Sequence, residues 1–135
     1  LEPHKRTFHT LNAAMLLKDQ RPFLVYGTMG GEGQPQTQTA IVTRIVDCGM
    51  FPQDAVAAPR WLNGRTWGAA SNTLKIENRV PQAVLDELVK RGQPIEKVDA
   101  YTDGMGHAGA IMIDPVTGLR YGAADPRGDG LAIGY

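Results

Sequence analysis

From Leu11 to Lys18 the chain is mostly apolar, and the run ends in the polar pair Asp19-Gln20. Phe23-Leu24-Val25-Tyr26 then resumes the apolar character. Two apolar runs split by a short polar turn predict a β-hairpin. Pro22 falls at the start of the second strand, where a missing N–H does least harm. That strand runs into Gly27-Thr28-Met29-Gly30-Gly31-Glu32-Gly33, and Pro35 follows as a favourable first-turn helix residue. Beyond it Ile41, Val42, Ile45, Val46 and Met50 recur at helical spacing, with Gln36, Gln38, Thr43, Arg44 and Asp47 between them. Gly49 is the expected stop. The pattern here is strand, glycine turn, helix.

Further along, Pro52 to Ala58 predicts a short helix closed by Pro59, and Arg60 to Ser71 a long loop. Thr73 to Glu77 alternates as a strand does. Pro81 to Arg91 is amphipathic, with Val84, Leu85 and Leu88 expected to face inward and Gly92 to end the helix. Val98 to Tyr101 is expected to form a short strand. Ala108–Ile113 and Leu119–Ala124 predict a second hairpin, turned by Asp114-Pro115-Val116-Thr117-Gly118. Hairpins mixed with separate helices, without a repeat, predict an α+β fold with largely antiparallel sheets. Residues 1–135 form a single domain piece.

Composition narrows the picture by exclusion. Hydrophobic residues make up 42% and charged residues 21%, a balance suited to a packed core and not to disorder. The formal net charge is zero, so neither a nucleic acid nor an anionic membrane is an expected partner. No apolar run is long enough to span a bilayer. Cys48, the only cysteine, is expected to be a small buried hydrophobe on a helix. Leu1-Glu2-Pro3-His4-Lys5-Arg6 carries no initiator Met and no signal pattern, and reads like the middle of a protein. A bacterial cytoplasmic setting is expected, or a periplasmic one if a signal lies upstream.

The glycine turn has three readings by spacing alone. A strand, a glycine loop and a helix N-terminus make an anion cradle, although the Lys-Ser/Thr ending of a phosphate loop is absent. Adjacent glycine N–H groups can instead form an oxyanion hole. The third reading is a tight turn and nothing more. Gly104-Met105-Gly106-His107-Ala108-Gly109 matches the dinucleotide spacing literally, but a strand and not a helix follows it, so its glycines are expected to serve close backbone packing. His4, His9 and His107 are scattered, with no partner at metal-ligand spacing, so neither a metal nor a cofactor is expected. Arg127-Gly128-Asp129 predicts a turn with a salt bridge. Trp61 and Trp67 are expected to pack in the core or under a loop, and Gln34, Gln36 and Gln38 to form a polar helix start. No self-contained Ser-His-Asp set or acid/base pair is present. If the chain serves an enzyme, the nucleophile lies elsewhere.

Several boxes in one order resemble the small subunit of the γ-glutamyltransferases. They are Gly30-Gly31, a helix through Thr39 and Val46, Gly49-Met50, Asp54-Ala55-Val56-Ala57-Ala58-Pro59-Arg60, Tyr121-Gly122-Ala123-Ala124-Asp125-Pro126-Arg127, and the final Gly134-Tyr135. The resemblance covers essentially the whole chain. It implies an N-terminal-nucleophile hydrolase with a four-layer αββα sandwich, of which this chain is the C-terminal part of the small subunit. It implies a precursor that cuts itself before a threonine, whose hydroxyl then attacks an amide carbonyl with its own α-amino group as base. It implies that Gly30 and Gly31 stabilise the oxyanion. The threonine would lie upstream of Leu1, so this chain alone is expected to be inactive, with a large subunit from the same precursor as partner. A dimer of such heterodimers is a further expectation.

Two departures from the family pattern bear on specificity. The paired serines that hold the substrate carboxylate correspond to His9 and Thr10, and the typical GSPGG turn reads Gly27-Thr28-Met29-Gly30-Gly31. His9, Thr10 and Met29 are therefore the expected substrate contacts. Together, Lys5-Arg6-Thr7-Phe8-His9-Thr10-Leu11-Asn12 and Tyr26-Gly27-Thr28-Met29-Gly30-Gly31 look closer to the oxamate amidohydrolase branch, which implies a small anionic amide as substrate. A γ-glutamyltransferase or glutathione hydrolase proper is the alternative enzyme reading. A non-catalytic anion-binding module is the alternative of another class.

Overall fold

A computed structural model describes residues 1–65 and 70–134. The expected first hairpin forms from β1 (Ala14–Lys18) and β2 (Arg21–Thr28). Its two-residue turn, Asp19-Gln20, has φ of 50° and 60°, the left-handed pair that matches strand twist in tight hairpins. The register shifts between Leu16 and Leu17, opposite Pro22, so the proline sits where ladder pairing is already interrupted. Leu11 is exposed and lies outside the strand.

Two helices follow the glycine turn, α1 (Gln34–Val46) and α2 (Pro52–Ala57). Gly49, with φ of 65°, reverses the chain after α1. The second expected hairpin is β6 (Ala108–Ile113) with β7 (Arg120–Ala124). The main sheet runs β1-β2-β6-β7 and is antiparallel throughout. Leu24, Ile41, Ile45, Ala55, Val56, Ala108, Ala110 and Ala123 form one core between α1, α2 and one face of this sheet. Leu24 and Ile41 are fully buried, each contributing roughly 1.5–3 kcal/mol through apolar burial. Alanines on β6 and β7 let α2 lie close to the sheet. The opposite face leaves Met15, Leu17 and Ile111 exposed.

A smaller sheet joins β3 (Trp61–Asn63), β4 (Leu74–Glu77) and β5 (Ile95–Val98), with α3 (Gln82–Lys90) packed through Leu85 onto Leu74 and Ile76. Here the β4–β5 pair is parallel, an exception within a largely antiparallel chain.

Several expectations change. The stretch read as loop after Arg60 begins with β3, which at three residues is too short to show a period. The strand expected at Val98–Tyr101 lies earlier, at β5, and Tyr101 has φ of 56°, a turn conformation. Exposed Glu96 and Lys97 on this strand masked its character. Val84 is exposed while Leu85 is buried, because α3 covers the small sheet with a narrow stripe. Cys48 is exposed beyond the end of α1, not buried. Trp61 is 40% exposed, with the Arg44 guanidinium 5.5 Å from its ring centroid, so it is a surface stacking residue. Trp67 and Tyr135 lie outside the described residues.

Candidate active site

The glycine turn joins β2 to α1 through a short 3-10 turn at Gly31–Gly33. Gly30 has φ 130° and ψ 27°, and Gly31 has φ 52°; L side chains rarely adopt the first conformation. The Gly33 N–H donates to the Gly30 carbonyl at 2.9 Å, and the Gln34 N–H to the Gly31 carbonyl. At the start of a helical turn the first N–H groups have no partner within it. The Gly30 and Gly31 N–H groups are such donors, and no other described residue accepts from them. Gly30 is buried and Gly31 exposed, so the pair stands at a boundary between protein and the space in front of the turn. The α1 dipole adds partial positive charge there. Two adjacent free donors suit an anionic oxygen.

The segment before β1 is tied to the same place by alternate glutamines of α1. Gln34 Nε2 donates to the Thr10 carbonyl at 3.2 Å, and Gln38 Nε2 to the Asn12 carbonyl at 2.6 Å. Gln36 makes a two-way bond with the Asn63 backbone, at 3.0 and 2.8 Å. The glutamines expected merely to begin a helix are therefore straps that fix two other segments. His9 and Thr10 are brought alongside the start of α1, three residues past Gly31. Both are exposed, and His9 Nδ1 lies 3.2 Å from the Leu11 carbonyl. Met29 is 45% exposed beside Gly30.

The second glycine segment packs against the first. The Met29 N–H donates to the His107 carbonyl at 3.1 Å, and the Thr28 hydroxyl lies between the Met29 carbonyl at 2.9 Å and the His107 carbonyl at 3.1 Å. Gly106, with φ 75° and ψ 162°, lies so close that an added Cβ would collide with the Met29 carbonyl oxygen. Close backbone approach is what Gly106 permits, as expected for a glycine of this segment.

Beneath this contact lies a charged cluster that sequence reading missed. Arg60, Glu77, Asp125 and Arg127 are all buried. Arg60 Nη2 lies 2.5 Å from Asp125 Oδ2. Arg127 grips Glu77 with two nitrogens, at 2.6 and 2.9 Å, and reaches Asp125 Oδ1 at 3.0 Å. Arg79 joins through Glu77 at 2.6 Å and stacks on Tyr101 at 3.7 Å. The salt-bridged turn expected at Arg127 is thus part of a larger network. Burial pushes the Glu77 carboxyl up, but hydrogen bonds from Arg127 and Arg79 and the charge of Arg127 outweigh it and hold it below its ordinary value. Burial, with the neighbouring charge of Arg127, pushes Arg60 down to about 10 despite Asp125, so it stays charged near neutrality. A signal was available: Arg60 and Arg127 each end a Pro-Arg box, Ala58-Pro59-Arg60 and Asp125-Pro126-Arg127. Among the described residues no group of three His, Cys, Asp or Glu gathers as a metal site would need.

The described chain thus presents a four-stranded antiparallel sheet with helices on one face and a paired-glycine turn between strand and helix. The family model described as gamma-glutamyltranspeptidase matches residues 1–135, and the chain belongs to that family. It is 52% identical over 134 residues to a glutathione hydrolase-like YwrD proenzyme of Bacillus subtilis, and 49% identical over 136 residues to an oxamate amidohydrolase proenzyme of Klebsiella pneumoniae. These matches cover 99% and 100% of this chain. The chain spans about a quarter of the length of both relatives, 25% in each case. Among solved structures, a Helicobacter pylori γ-glutamyltranspeptidase mutant aligns with TM-score 0.77 and 31% identity, over 95% of this chain and 66% of that one. A cephalosporin acylase from Bacillus halodurans aligns with TM-score 0.82 and 34% identity, over 97% of this chain and 23% of that one. The fold is therefore part of the four-layer αββα sandwich of these hydrolases.

Proposed function

We propose that this chain supplies the oxyanion hole and part of the substrate pocket of an amidohydrolase acting on a small anionic amide such as oxamate. The observation that carries the reading is the pair of unpaired N–H donors on Gly30 and Gly31. In this reading a threonine hydroxyl from another part of the same precursor attacks the amide carbonyl. The oxygen of the tetrahedral intermediate gains negative charge, and Gly30 and Gly31 donate to it. Collapse expels the amine with a proton and leaves an ester on the threonine. Water then attacks that ester, and the carboxylate product leaves. Thr10 and His9 donate to the substrate carboxylate, and Met29 lines the pocket beside the reacting carbonyl. The partner is a large subunit cut from the same precursor.

The 49% identity to an oxamate amidohydrolase proenzyme supports the small-amide form. The 52% identity to a glutathione hydrolase-like protein favours a second reading, γ-glutamyl hydrolysis by the same turn. Steady-state kinetics of the full processed enzyme on oxamate and on a γ-glutamyl anilide separate the two. A higher kcat/KM on oxamate is expected, and clear preference for the anilide would sink the small-amide form. For the turn itself, Gly31→Val is the probe. Nothing lies within 4 Å of where a Cβ would sit, and φ of 52° is a conformation that side chains rarely adopt, so the variant strains the backbone of the turn. Turnover is expected to fall on the order of 10²-fold. An unchanged kcat in folded enzyme refutes the oxyanion role.

A further inference from the structure

The backbone from Gly106 to Ala108 is held on two sides. On one side Arg60 Nη1 donates to the Gly106 carbonyl at 2.7 Å, and the Ala108 N–H donates to Asp125 Oδ2 at 2.7 Å. Arg60 and Asp125 are themselves ion-paired, and their side chains are 1% and 2% exposed. One buried pair thus grips the peptide groups on both sides of His107. On the other side the His107 carbonyl accepts from the Met29 N–H, and the Thr28 hydroxyl bridges the region, 2.9 Å from the Met29 carbonyl and 3.1 Å from the His107 carbonyl. The next residue after Met29 is Gly30. Gly106 itself lies against the Met29 carbonyl, so the two backbones meet directly there.

We infer that the Arg60–Asp125 pair is a positioning device for the oxyanion turn, acting through the Gly106–Ala108 backbone. This rests on the oxyanion reading of Gly30 and Gly31. Hydrogen-bond donors in an oxyanion hole work by being held in place before charge develops. Glycines cannot hold themselves, since they have the widest backbone freedom of any residue. The rigidity must come from what they rest on. A buried pair with nearly every polar atom engaged is such a support. Only Arg60 Nε lacks a partner within it.

The test uses the full processed enzyme with two variants, Asp125→Asn and Thr28→Val. The first removes the charge at the far end of the relay, and the second the exposed hydroxyl at its near end. Hydrogen exchange at the Met29 and Gly33 amides reads the turn directly, whatever the chemistry. Both amides should exchange about tenfold faster in each variant, with α1 amides unchanged, because a misplacement that leaves the fold intact acts locally. On oxamate, kcat should fall about tenfold with KM changed less than about twofold, the split expected of a displaced transition-state donor. The double variant should lose little more than the larger single loss. Unchanged exchange in the folded variants overturns the relay and leaves the oxyanion reading standing. Faster exchange with unchanged kcat overturns catalytic positioning, and Gly31→Val then decides whether the oxyanion reading survives. If Asp125→Asn does not fold, Arg60→Lys, which keeps the charge but cannot span both Asp125 and the Gly106 carbonyl, is read by the same two measurements.

Discussion

Gly106→Ala tests the contact between the two glycine segments most directly. At φ 75° and ψ 162° Gly106 occupies a region that is essentially glycine-only, where another residue costs about 1–3 kcal/mol. The new methyl would also meet the Met29 carbonyl oxygen, with the Met29 carbonyl carbon and Thr28 Oγ1 each 3.3 Å away. The obstacle is backbone, so relief requires moving the glycine turn itself. Overpacking of this kind adds about 1–3 kcal/mol. Together the loss should reach about 2–6 kcal/mol, read as a lowered urea midpoint at unchanged slope. Gly104→Ala is the matched control two residues away. Its Cβ would come no nearer than 3.8 Å to Thr102 Oγ1, and its φ lies outside the left-handed range. That variant should stay within about 0.5 kcal/mol of the parent or gain slightly from reduced chain entropy. Turnover by the remaining folded Gly106→Ala enzyme should fall as well, since Met29 is displaced. Equal midpoints for the two variants would refute the packing argument, and equal turnover would refute its link to the turn.

Two further outcomes follow from the charged cluster and the glutamine straps. Glu77 has its pKa held below the ordinary 4.5, so its stabilising contribution is complete above that value and is lost as pH falls toward the lowered one. Glu77→Gln should therefore cost about 3–5 kcal/mol near pH 7, and its urea midpoint should converge on the parent's below about pH 4.5; a constant gap down to pH 3 contradicts this. Gln38→Met removes the bond to the Asn12 carbonyl, so KM for oxamate should rise about two- to tenfold with kcat little altered. An unchanged KM would mean the segment carrying His9 and Thr10 is held without that strap.

What could be read from the chain depended on range. Helix α1 was legible because Ile41 and Ile45 face the core four residues apart, and both hairpins because their turns are written in adjacent residues. The glycine turn was legible as a turn, but spacing alone left its chemistry open among three readings. Its two free donors emerge only from the φ values of Gly30 and Gly31 and from the bonds their neighbours make. Strand β3 was lost because three residues carry no period. Val84 was misjudged because two adjacent apolar residues cannot reveal which one a narrow stripe buries. The charged cluster was invisible for a different reason. Glu77, Asp125 and Arg127 look like ordinary surface charges in sequence, and Arg127 meets Glu77 across 50 positions. Only the shared Pro-Arg ending of two distant boxes hinted that they meet.

That cluster also constrains how the protein can change. Removing one member leaves another as a bare charge in a dry interior, a penalty of about 3–5 kcal/mol that is a large share of the roughly 5–15 kcal/mol margin of a domain. Replacing all four by well-packed apolar groups would lift that penalty, yet each single step toward such a state passes through a strongly destabilised intermediate. Arg60, Glu77, Asp125 and Arg127 therefore behave as one inheritable unit. A library that varies them singly will return variants less stable than the parent, whereas one that varies them jointly is the route to a different core beneath the same turn.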